Sequence, residues 1–142
     1  MIFIILLLTI FICGYLVYLP PAKEHFLITN IKDRLKEIDE GFKQIDIRES
    51  NSSYTEDKSI IYLCLKGKDG DFYPINTLMY VTLHEIAHFL NKKDFGHTET
   101  FKKIFNRLLC IAKNKGLYQP FEQHGEMYCG VDIKNISMPE CD

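Results

Sequence analysis

The run from Thr77 to Leu90, TLMYVTLHEIAHFL, constrains the fold more than any other stretch of the chain. It is apolar almost all the way round, and a helix of that kind belongs in the interior of a domain. Yet it carries His84, Glu85 and His88. Burying these side chains without partners would be strongly unfavourable. Two histidines four positions apart lie one above the other on a helix face. Their imidazoles can then share one metal ion, at about 2.1 Å for zinc. Glu85 sits next to the first of them and can lean toward the same ion without binding it. A metal-assisted hydrolase needs that pairing of two ligands with a carboxylate that accepts a proton from water. The competing account is an ordinary helix whose polar groups are satisfied by its neighbours.

Catalytic zinc usually takes three protein ligands and leaves one position open. Three residues after His88 are candidates: Asp94, His97 and Glu99. His97 is favoured. It follows Gly96, which permits a tight turn, and precedes Thr98, a good helix N-cap, so its backbone is fixed on both sides. Asp94 would require Asn91 to adopt a left-handed turn. Glu99 would have to be delivered by the next helix. His124 lies far downstream in a polar stretch and reads as a loop residue.

The remaining sequence frames this site. A chain of 142 residues with a formal charge of −2 has room for one domain and carries no general electrostatic argument for nucleic acid. Five cysteines, at positions 13, 64, 110, 129 and 141, show no CxxC spacing, which points to free thiols in a reducing, cytosol-like compartment. Residues 2–19 contain no charge and span about 27 Å as a helix, close to a hydrocarbon thickness. Pro20 and Pro21 end that segment, and no basic residue precedes it as a cleavable signal would require. The expectation is a transmembrane anchor over 1–22 and a metal-binding domain over 23–142. Lys23, Lys32, Arg34 and Lys36 place that domain on the cytosolic side, at a host or virion membrane.

Downstream, an amphipathic helix is expected from Glu24 to about Glu40, closed by Gly41. Phe42 to Arg48 alternates like a half-buried strand, Glu49 to Asp57 reads as a loop, and Ser59 to Leu65 is the best strand. That strand precedes the motif helix and can either offer an open edge to an extended peptide or simply fill the core. Asn76 is the expected N-cap of the motif helix. A further helix runs from Thr98 to Gly116, and residues 128–133 are β-like. Tyr128 reads as a packed aromatic, with a transition-state hydrogen bond as the alternative. The fold class is therefore α+β, with a short sheet packed on the HExxH helix behind the anchor.

The run HEIAHFLNKKDFGHTETF resembles the metal-binding core of the SprT-like and WLM families of zinc metallopeptidases. In those, HExxH is followed by a short variable loop, a third histidine, and a helix with Phe four positions on, as in His97-Thr98-Glu99-Thr100-Phe101. Thr98 stands where a glycine is usual, and the loop is longer than in the WLM group. The chain is most similar to small WLM-like proteins of large DNA viruses and protists, over about residues 58 to 133. The resemblance implies a zincin-like peptidase domain with Zn2+ on His84, His88 and His97, Glu85 as catalytic base and acid, and a protein or peptide substrate. It implies no nucleic-acid partner, since DNA-binding segments of the wider family have no counterpart here. The alternative of another class is a membrane-tethered binding or scaffold protein that zinc only stabilises.

Overall fold

The computed structural model describes residues 24–121, 127–133 and 139–141. Three helices and two small sheets form an α+β domain. Helix α1 covers Phe26–Ile38, and His25 caps it by accepting from the Leu27 backbone N–H through Nδ1. Its apolar stripe, Ile28, Ile31 and Leu35, is fully buried. A short 3-10 turn, Glu40–Gln44, follows and is capped by Asp39. Part of the strand expected over 42–48 is thus helical, and strand β1 begins only at Asp46 and runs to Glu49.

Strand β2 is Tyr54–Glu56 and strand β3 is Ile60–Leu63. The order is β1-β3-β2, with β1 parallel and β2 antiparallel to β3. Asp57 and Lys58, both at positive φ (47° and 52°), make the tight turn between β2 and β3. Primed turns of this hand match the twist of the flanking strands. The stretch read as a loop thus contains an edge strand. The strand expected to offer a free edge, β3, is paired on both sides, because β2 folds back onto it. Ile47, Ile61 and Leu63 turn one face of this sheet into the core.

Helix α2, Ile75–Leu90, is buried from Thr77 through Leu83 and again at Glu85, Ile86 and Ala87. Its N-cap is Pro74, without a side-chain bond. Asn76 instead ties the helix to the chain after α3, exchanging two 2.8 Å hydrogen bonds with the Gln119 backbone. Helix α3, Glu99–Asn114, is capped by Thr98 and presents Phe101, Leu108, Leu109 and Ala112 to α2. Gly116 closes it at φ 69°, a left-handed position that suits glycine. A two-stranded hairpin, β4 (Met127–Tyr128) and β5 (Val131–Asp132), completes the described residues.

Two expectations are corrected here. Among the described residues no helix is long and apolar enough to cross a membrane. The longest have 16 residues, about 24 Å of rise against the 20 or so residues a span requires, and both carry charged side chains. The stretch 2–19 itself lies outside the described residues. The transmembrane helix of the expected fold and the single-pass, cytosol-facing localisation thus find no counterpart among the described residues. The four cysteines among the described residues are also not free: Cys64 pairs with Cys129 and Cys110 with Cys141, across separations of 65 and 31 residues. Such partners meet only through tertiary folding, so no local spacing announces them. Cross-links of this kind belong to oxidising surroundings, contrary to the reducing compartment expected.

Candidate metal centre

His84 and His88 project from the same face of α2, one turn apart, toward α3. The chain leaves α2 at Asn91, whose φ of −74° is not left-handed. The turn that would have aimed Asp94 at the histidines is therefore not made. Gly96, at φ 81°, turns the chain instead, and His97 follows directly before the Thr98 cap. His97 Nε2 lies 3.0 Å from His84 Nε2 and 3.2 Å from His88 Nε2. Four ligands held tetrahedrally at about 2.0–2.1 Å from one ion stand about 3.3 Å from each other. His97 thus stands at the separation of a fellow ligand from each of the other two, and all three ligand atoms lie within 4.8 Å of one another.

Their electrostatics agree with that arrangement. Burial, reinforced by the neighbouring charges of His88 and His97, pushes the His84 pKa down to about 3. Burial, then His97 and Lys58, lowers that of His88. Neutral imidazole is the form that ligates a metal. Three rings whose Nε2 atoms converge cannot all satisfy one another with hydrogen bonds, because at each contact one nitrogen must carry the proton and the other must not. A cation satisfies all three lone pairs at once. His84, His88 and His97 are close enough to bind a metal. Asp94 and Glu99 do not join them: Glu99 is exposed and paired with Lys102 at 2.7 Å.

Three supports hold the rings. Phe101, 3 % exposed, contacts all of them, with centroids 4.9 Å from His84, 4.3 Å from His88 and 4.8 Å from His97. Lys58, on the β2–β3 turn, donates to the backbone oxygens of Asn91 and Asp94 and so ties down the loop that carries His97. Its ammonium also lies 4.4 Å over the ring of Phe95 in that loop. None of these contacts is visible as a motif, although the Phe101 spacing is part of the resemblance.

Glu85 is 6 % exposed and faces β2. Burial raises its pKa, and a hydrogen bond from Thr55 opposes the rise. The Thr55 hydroxyl lies 2.7 Å from Glu85 Oε2 and 3.0 Å from the Glu85 backbone oxygen. One carboxylate oxygen is thereby oriented by the edge strand. Sequence reading missed Thr55 because it falls within a polar segment, and its role exists only once β2 pairs with β3.

Tyr128 is a packed aromatic, 4 % exposed. Its hydroxyl donates to the Cys64 carbonyl at 2.7 Å and, its one proton being used, accepts from Ser53 at 2.6 Å. Ser53 in turn accepts from the Cys64 N–H at 2.9 Å. That closed set leaves Tyr128 no proton to offer a reacting oxyanion. Burial pushes its pKa up to about 12. His124 lies outside the described residues, and His25 is the cap of α1.

No family model and no solved structure matches the chain. It is similar to three viral proteins described as uncharacterized. One, from Invertebrate iridescent virus 6, is 42 % identical over 89 residues, 61 % of this chain and 49 % of the relative. One from Invertebrate iridescent virus 3 is 41 % identical over 91 residues, 63 % and 57 % of the two chains. One from Acanthamoeba polyphaga mimivirus is 36 % identical over 114 residues, 74 % and 57 %. The chain thus spans about half the length of these curated relatives.

Proposed function

We propose that the chain is a zinc-dependent peptidase, with His84, His88 and His97 as the metal ligands and Glu85 as the general base and acid. The observation that carries this reading is the convergence of three Nε2 atoms at ligand spacing beside a buried carboxylate on the same helix. The resemblance to SprT-like and WLM metallopeptidases points the same way. A bound Zn2+ supplies Lewis acidity, which polarises a carbonyl and brings the pKa of water toward about 7.

The side chains do the rest. The imidazoles are held by Phe101 and by the loop that Lys58 fastens. Glu85, steadied through Oε2 by Thr55, takes the proton of the attacking water and passes it to the leaving amine. Burial favours its protonated form, which makes the uptake of that proton easier. A peptide, rather than a small ester, is favoured by the edge strand β2. It carries Thr55, and its outer edge is unpaired among the described residues. An extended substrate can add to such an edge through main-chain hydrogen bonds.

The second reading, a binding or scaffold protein with a structural zinc, is less well supported. Structural sites are usually closed by four ligands, often cysteines. Here the cysteines at 64, 110, 129 and 141 are consumed in disulfides, and His84 and His97 border a cleft. The deciding experiment is cleavage of an unfolded protein by the zinc-loaded chain and by Glu85→Gln. The variant should retain zinc and lose cleavage. Undiminished cleavage by Glu85→Gln rejects the role given to Glu85, and no chelator-sensitive cleavage by the parent favours the scaffold reading.

A further inference from the structure

Beside His84, Glu85 and His97 lies a cavity of about 420 Å³. One wall is Tyr80 and Val81, one helical turn before His84 on α2. The opposite wall is the β4–β5 hairpin, through Val131 and Ile133. The Cys64–Cys129 disulfide and the Tyr128 hydroxyl fasten that hairpin to the end of β3. Among the described residues that line the cavity there is no lysine or arginine, and the one carboxylate besides Glu85 is Asp132. Its size is that of a small-molecule or side-chain pocket. Val131 is 61 % exposed at the mouth, an apolar side chain with nothing of the described domain covering it.

We infer that this cavity receives a large aliphatic or aromatic side chain of the substrate, on a residue adjoining the scissile bond, and that Val81, Val131 and Ile133 set this preference. The inference rests on the peptidase reading. Three of the four residues that would perform the chemistry, His84, Glu85 and His97, line the cavity, so whatever fills it adjoins the reacting bond. Main-chain pairing along β2 discriminates poorly between sequences, because every peptide offers the same N–H and C=O groups. Selectivity must then come from side-chain pockets. Moving a leucine or phenylalanine side chain from water into an apolar pocket strengthens binding about 10- to 100-fold. An aspartate there would lose its hydration against apolar walls.

The test uses the full-length chain carrying Glu85→Gln, loaded with one equivalent of ZnCl2, so that binding is read without turnover. Fluorescein-labelled peptides identical except for Phe, Leu, Gly or Asp at one position beside the central bond are titrated by anisotropy. The same unlabelled peptides are given to the parent chain and the products mapped by mass spectrometry. The Phe and Leu peptides should bind at least tenfold more tightly than the Gly and Asp peptides, with cleavage at the bond adjoining them. Val131→Asp, and separately Ile133→Asp, should reduce that preference below about threefold while the zinc content stays at one per chain. Equal binding across the series overturns the inference, as does an undiminished preference in both variants. Selective binding without cleavage by the parent would leave the pocket assignment standing and reject the peptidase reading. Cleavage without selectivity would do the reverse.

Discussion

Thr55→Val removes one hydroxyl from the edge strand and keeps the side-chain shape. Its consequence can be worked from the geometry. The Thr55 hydroxyl lies 2.7 Å from Glu85 Oε2, and Glu85 is 6 % exposed, so little water is available to replace it. A hydrogen bond to a charged acceptor is worth about 1.5–3 kcal/mol. At about 1.4 kcal/mol per factor of ten, that is roughly 10- to 150-fold in the balance between carboxylate and acid. Burial already raises the Glu85 pKa, and the bond from Thr55 opposes the rise. Its loss therefore raises the pKa further. Since the carboxylate is the active base, the acidic limb of the pH–rate profile should move to higher pH. The rate deficit should approach the full factor on the acid side and shrink toward the alkaline side, where both enzymes are ionised. The assay is hydrolysis of a quenched fluorescent peptide from pH 5 to 9, with zinc content measured in parallel. A uniform loss of rate at every pH would show that Thr55 acts only on folding, and an unchanged profile would refute its role altogether.

Other outcomes follow from the same geometry. His97→Ala should lower zinc affinity by at least 100-fold by isothermal titration, whereas Asp94→Asn and Glu99→Gln should leave it within about threefold; the opposite pattern would move the third ligand. Lys58→Met removes the charge-assisted bonds to the Asn91 and Asp94 carbonyls. It should weaken zinc binding about tenfold, an effect that bonds of this class permit, and unchanged affinity would show the His97 loop to be held by other contacts. The metal-free chain should lose stability as pH falls. The folded-state pKa of His84 is depressed to about 3 from an ordinary 6.5, and that of His88 is lowered as well. Their contribution is complete above about pH 6.5 and is lost as the pH drops from there toward the folded values. Glu85, with its raised pKa, opposes this trend, so Glu85→Gln should steepen it. Urea denaturation at pH 7.5 and 5 measures both, and greater stability at pH 5 would contradict the assignment.

How far the sequence reaches is clearest from individual residues. The motif helix is legible because its apolar periodicity is long and its two histidines share a face at a spacing that helix geometry fixes. His97 is legible because glycine before it and a capping threonine after it leave the backbone few conformations. Thr55 is not legible. A three-residue strand between polar neighbours has no periodicity, and its value lies wholly in facing Glu85 across the domain. Asn76 has the composition of an N-cap but is drawn to Gln119, a partner 43 residues away. The two disulfides were hidden for the same reason, as their members meet only after the hairpin and the C-terminal segment dock. The apolar N-terminal stretch reads strongly as a membrane span from composition alone, yet no helix among the described residues has that character. Local chemistry thus announces the three histidines that converge, while the groups that orient them depend on contacts between elements distant in sequence.

The most direct test of the central claim is zinc K-edge X-ray absorption on the full-length chain, after removal of loosely bound metal. One zinc per chain with three imidazole nitrogens at about 2.0–2.1 Å and one further, non-imidazole oxygen donor is the expected result. A sulfur shell, a fourth protein ligand in place of the oxygen, or no retained zinc would contradict it.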